Sequence, residues 1–176
     1  AIDQEGGRVQ RLREPWTVWP AIRRLGELNS EDLVRRMAEA VASELSACGI
    51  ALDFAPVVDV DTNPRNPIIG DRAFGTTPDA AAAAALAPFR ATRAVGVLTR
   101  GKHFPGHGDT VTDSHYGLPL IAHSRTRLDS LELYPFQRIV EEGIAAMMVA
   151  HLEVPALDST KGQPSTLSEP IVHQLL

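Results

Sequence analysis

Four short apolar runs, near residues 1, 51, 95 and 145, recur along the chain at spacings of 50, 44 and 50 residues. Each is bounded by turn residues, and each but the last leads into a stretch with helical periodicity. A short, β-branched, turn-bounded run reads as a buried strand. Strand, helix, strand in repeated order requires crossover connections, so the strands lie parallel in an α/β sheet. A complete (β/α)8 TIM barrel takes about 250 residues. With 176 residues and about four strands, the chain reads as a partial (β/α)8 barrel, roughly half of one. Residues 1–176 form one domain in this reading, truncated at both ends: the sequence opens at Ala1-Ile2-Asp3 in mid-strand without a Met and stops inside a helix. Four strands cannot close on themselves, so two open sheet edges and poor solubility of the chain alone are expected.

The helices carry their own punctuation. Leu33, Val34, Met37, Ala38, Val41, Ala42 and Leu45 recur at helical spacing behind Ser30, an N-cap residue, and ahead of Gly49, a stop. Pro78 to Arg93 is Ala-rich and reads as a helix that Pro88 kinks or breaks. Leu131 to Glu142 is a further helix ended by Gly143, and Ser168 caps a last one. Ile50 to Val60 and Ala145 to His151 read as buried strands.

A formal net charge of −5 and the absence of any long basic run argue against nucleic acid or an anionic membrane as partner. Arg23-Arg24 and Arg35-Arg36 fit solvated helix faces. No run approaches the roughly 20 apolar residues of a membrane-spanning helix. The single Cys48 excludes an internal disulfide and reads as a small buried hydrophobe.

The chemistry is concentrated in the 14 residues from Lys102 to His115, which hold three of the six His together with Asp109, Asp113, Pro105, Gly106 and Gly108. Lys102 and His103 fall at the carboxyl end of the third strand, where α/β proteins gather ligands. Asp113 and His115, two positions apart, can share a side of an extended segment, so that the carboxylate orients the imidazole for general acid or base work. His103, His107, Asp109, Asp113 and His115 are also of metal-ligating types, which leaves a metal-dependent hydrolase as an alternative, although the helical spacing of zinc proteases is missing.

The motif KHFPGHGDTVTDSH, with AIDQEGGRVQR before it and GDRAFG between, resembles the glycoside hydrolase family 3 β-N-acetylglucosaminidases of the NagZ type, and the likeness runs in order along essentially the whole chain. The resemblance implies a catalytic domain in which His115 is the proton donor and Asp113 its dyad partner. It implies that Asp3, Arg11, Arg72, Lys102 and His103 hold the sugar, with no metal or cofactor. The simpler alternatives are a turn-capping Asp3, a surface Arg11, and Arg72 paired with Asp71 or a neighbouring carboxylate. His151 either lines the pocket or satisfies a core hydrogen bond. By the same resemblance the nucleophilic aspartate lies beyond Leu176, the enzyme is a cytoplasmic bacterial monomer at full length, and its substrate is a GlcNAc-anhydroMurNAc muropeptide. A catalytically inactive sugar-binding fragment and a family 3 β-glucosidase are the remaining alternatives. Arg100-Gly101 departs from the small or apolar residues expected before the Lys-His pair.

Overall fold

The computed structural model describes every residue except Asn29. Strands β3 (Leu52–Asp53), β4 (Leu98–Phe104) and β5 (Ala146–Val149) form a parallel sheet in sequence order. Ile2 bridges in parallel to Asp53, so the amino-terminal segment supplies the fourth position in the row. The sheet is open, with helices on its outer side. Just past Ile2, β1 (Gln4–Gly6) and β2 (Val9–Gln10) make a small antiparallel hairpin. Gly6 sits at φ 94°, where a Cβ would lie 2.6 Å from the Pro20 carbonyl oxygen, so the turn tolerates little else.

Helices α1 (Ile22–Leu28) and α2 (Glu31–Ala47) cross over to β3, α3 (Pro78–Ala94) crosses to β4, and α4 (Arg125–Ser130) and α5 (Tyr134–Glu141) cross to β5. The Ser30 hydroxyl accepts from Leu33 N at 3.4 Å, and Gly49 turns the chain away at φ 69°, as the sequence predicts. The Ser168 hydroxyl likewise accepts from Ile171 N, opening the final turn Pro170–Leu175. Pro88, by contrast, does not break α3, which runs unbroken from Pro78 to Ala94. An interior proline costs about 3 kcal/mol. Burial of Ala81, Ala82, Ala85 and Phe89 between α2 and α5 opposes that cost.

Two strands differ from expectation. The third begins later, because Val95 closes α3 and Gly96 turns at φ 76°, leaving Leu98 to start β4. Its carboxyl end therefore contains Lys102 and His103. The second is shorter, since Pro56 has no N–H to give the ladder. Beyond β3 the chain follows β4 by separate bonds, Arg100 N to Ala55 O at 3.0 Å and Val58 N to Lys102 O at 2.7 Å. Gly101 has a definite reason: a Cβ there would stand 2.4 Å from Ile139 Cδ1 of α5. Arg100 lies on the other face, its guanidinium 5.2 Å from the Phe54 ring centre. Cys48 is half-buried rather than buried.

The main core lies behind β4 and β5, where Phe104, Leu128, Leu133, Phe136, Ile139, Leu152 and Ile171 pack together. Phe104 and Phe136 meet edge to face at 5.5 Å. Each large apolar side chain buried there contributes about 1.5–3 kcal/mol. The opposite face is less covered; Leu98 on β4 is 54% exposed.

Candidate active site

The carboxyl ends of the strands converge on one buried cation. Lys102, 2% exposed, places Nζ 2.7 Å from Asp3 Oδ1 and 2.5 Å from Glu5 Oε1. Arg72 grips the same Glu5 with both arms, Nε and Nη2 each donating over 2.8 Å. Burial alone would raise the Glu5 carboxyl, but the Arg72 hydrogen bonds and the Lys102 charge outweigh it and hold Glu5 below the ordinary range. Burial likewise lowers Arg72, and Glu5 more than reverses the effect.

The Arg72 loop is itself clamped. Arg8 donates to the carbonyls of Pro67, Ile68 and Ile69 and pairs with Asp71 at 3.1 Å. Asp71 is thus taken by Arg8, and the partner of Arg72 is Glu5. Arg11 stands at the rim, 61% exposed, with Nη2 4.0 Å from Asp3.

His103 extends the cluster. Its Nδ1 donates to Asp59 Oδ2 at 2.6 Å and its Nε2 faces Arg72 Nη2 at 3.3 Å. Asp59 also accepts from His103 N at 3.1 Å and from His107 N at 2.6 Å. The His103 and His107 rings meet edge to face at 5.9 Å. His107 is buried, and that burial lowers its pKa. It bonds Thr110 Oγ1 at 2.6 Å and lies 3.4 Å from Ser114 Oγ.

Beyond Ser114 the predicted pair forms. His115 Nδ1 donates to Asp113 Oδ1 at 2.7 Å, and the same oxygen accepts from His115 N at 2.8 Å. The backbone bond, then the imidazole bond, keep the Asp113 carboxyl below its usual range. The His115 side chain is 82% exposed and makes no direct contact with the Lys102 cluster; the path back runs through Ser114, His107 and His103.

Asp3, Arg72, Lys102 and His103 therefore meet, Arg11 borders them, and Asp113–His115 stands on a separate loop. Glu5 and Asp59 were not among the residues singled out from the sequence. Glu5 had a signal: two positions after Asp3 on an extended segment, it shares that residue's side. His151 is exposed and bonds Thr166 Oγ1 at 2.7 Å. The five residues of the metal-hydrolase alternative do not converge. Among the described residues the only grouping within common ligand reach is Asp109, His123 and Glu132. Arg127 already bridges its carboxylates at 3.0 and 3.2 Å.

Fold and mouth together define an α/β domain of the (β/α)-barrel type with its site at the strands' carboxyl ends. The model of the glycosyl hydrolase family 3 N terminal domain matches residues 1–176, and the chain belongs to that family. It is 41% identical to the Beta-hexosaminidase A of Pseudoalteromonas piscicida, covering 100% of this chain and 32% of that protein. It is also 41% identical to a Beta-hexosaminidase of Neisseria meningitidis serogroup C, covering 100% of this chain and 50% of the relative. Among solved structures it superposes on a family 3 β-N-acetylglucosaminidase from Paenibacillus sp. str. FPU-7 with TM-score 0.96 and 44% identity, over 99% of this chain and 33% of that one. It matches NagZ from Neisseria gonorrhoeae in complex with N-trifluoroacetyl-D-glucosamine with TM-score 0.90 and 39% identity, over 99% and 52%. The chain thus spans between about a third and half the length of these relatives.

Proposed function

We propose that this chain is the sugar-gripping and proton-donating part of a retaining β-N-acetylglucosaminidase. The observation that carries the reading is the pairing of a buried Asp3–Lys102–Glu5–Arg72–His103 cluster with an exposed Asp113–His115 dyad on the loop that follows the same strand. Aligned donors and acceptors at a strand-end mouth suit paired sugar hydroxyls. The imidazole of His115 protonates the departing glycosidic oxygen, while Asp113 orients the ring by accepting from Nδ1.

A retaining mechanism also needs a free carboxylate to attack the anomeric carbon. Glu5 is committed to Arg72 and Lys102, and Asp3 to Lys102. By the resemblance the nucleophile is an aspartate in sequence beyond Leu176, and the greater length of the relatives leaves room for it. A GlcNAc-containing muropeptide as substrate, a monomeric state and a cytoplasmic place of action belong to the same proposal, on the strength of the resemblance.

The test uses the full-length protein on aryl β-glycosides. Cleavage of the N-acetylglucosaminide and not the glucoside is expected, with His115→Ala lowering turnover on the order of 10²- to 10⁴-fold. Unchanged turnover by His115→Ala would refute the dyad, and preference for the glucoside would refute the substrate class.

A further inference from the structure

Asp59 occupies no place in the sugar grip or the dyad, yet it touches the root of both. Its side chain is fully buried, and its two oxygens accept three hydrogen bonds: Oδ2 from His103 N and Nδ1, Oδ1 from His107 N. An ionised carboxylate only accepts, so His103 Nδ1 must carry the proton. In the neutral ring Nε2 is then a bare acceptor, and it faces a donor, Arg72 Nη2, at 3.3 Å.

The second arm follows the same logic. Thr110 Oγ1 gives its proton to the His107 carbonyl at 3.0 Å and therefore accepts from His107 Nδ1 at 2.6 Å. His107 Nε2 is left to accept from Ser114 Oγ, next to the dyad. The loop's first turn is held again by Asn66, whose Nδ2 donates to the His107 carbonyl at 2.7 Å.

We propose that Asp59 is a positioning residue: through one buried carboxylate it sets the tautomer of His103 in the sugar grip and seats the loop that carries the proton donor. This inference rests on the glycosidase reading for its kinetics, but not for its tautomer. Asparagine, of the same shape, has one acceptor and one donor. If its oxygen keeps the His107 N–H, its amide N–H meets His103 Nδ1 and drives the ring to the Nε2–H form, which opposes the Arg72 donor.

The test has two arms on the full-length protein. In histidine ¹⁵N NMR, with His103 assigned by His103→Gln, the wild-type ring is expected as Nδ1–H, and in Asp59→Asn as Nε2–H. In kinetics on the aryl N-acetylglucosaminide, Asp59→Asn is expected to lose on the order of 10- to 100-fold in kcat/KM, mainly through KM, the effect of one charge-assisted hydrogen bond. A wild-type His103 found as Nε2–H overturns the proposal, and that spectrum decides even if the variant folds poorly. A variant with wild-type kcat/KM, or one that loses activity with His103 signals unmoved, overturns it as well. If the wild-type protein cleaves no N-acetylglucosaminide, the glycosidase reading fails while the tautomer of His103 still tests the role of Asp59.

Discussion

His123 Nε2 donates to Asp109 Oδ2 over 2.5 Å, tying together residues 14 positions apart, so the segment bearing Asp113 and His115 is a loop closed at its base. Arg127 reinforces the closure, bridging Asp109 and Glu132. Burial raises the Glu132 carboxyl against the opposing pull of Arg127. The base is held by charge while the tip, with Val111, His115 and Tyr116, faces solvent. Such an arrangement suits a segment that moves over a site as a unit.

Removing the base bond should therefore act on turnover rather than on sugar binding. His123→Ala in the full-length protein is expected to lower kcat on the order of tenfold, about one charge-assisted hydrogen bond, with KM changed much less. Steady-state kinetics give the split, and amide hydrogen exchange across residues 110–122 should speed up in the variant. A raised KM at wild-type kcat would show that the base bond serves the grip instead.

Asp53 gives the fold a pH dependence of definite sign. It lies beneath the mouth beside Thr99, lining a cavity of about 50 Å³, and accepts from Gln4 N at 3.0 Å. Burial pushes its pKa from 3.8 to about 7, against the Gln4 hydrogen bond and the Lys102 charge. The folded form thus holds the proton that the unfolded chain releases near pH 4. Stability attributable to Asp53 falls as pH rises from about 4 to about 7 and is level above that. At about 1.4 kcal/mol per pKa unit the whole effect is on the order of 4 kcal/mol. Asp53→Asn keeps the acceptor for Gln4 N and removes the titration. Its melting temperature should exceed wild type at pH 8 and converge with it near pH 4. Parallel melting curves across that range would show that Asp53 is ionised at little cost.

Much of this architecture was legible because its signals are local. Ser30 and Gly49 delimit α2 by their own backbone chemistry, and the apolar runs give three parallel strands in the right order, the first run adding only the bridge of Ile2 to Asp53. Pro88 misled because its cost is local while the burial opposing it comes from α2 and α5. The site divides the same way. Asp113 and His115 are two residues apart and were readable as a pair. Glu5 and Arg72 are 67 apart, and Asp59 and His103 are 44 apart. A carboxylate's near neighbours in sequence announce no partner so far away, so these pairs emerge only once the sheet brings the strand ends together. Gly101 is similar, its meaning residing in Ile139 across the helix layer.

The strongest dependence on a distant partner falls on Lys102. Its ammonium is buried against Asp3 and Glu5. Removing one member of a buried ion pair costs roughly 3–5 kcal/mol, because the partner's charge is left uncompensated. Lys102→Met retains the apolar stem and removes only the charge, leaving Arg72 to hold Glu5 alone. The Glu5 carboxyl is below its usual range in the folded protein, so its contribution to stability exists above the unfolded pKa and is lost as pH falls. Without Lys102 that contribution shrinks, and the penalty of the variant should be largest at neutral pH and smaller near pH 4. Urea unfolding at the two pH values measures this difference. The double variant Lys102→Met/Asp3→Asn should recover part of the loss at pH 7, since Glu5 keeps its Arg72 at 2.8 Å, while the next cation from Asp3 among the described residues, Arg11, stands 4.0 Å away. Equal penalties at both pH values, with no recovery in the double variant, would mean that Lys102 stabilises the mouth by packing its methylenes and not by its charge.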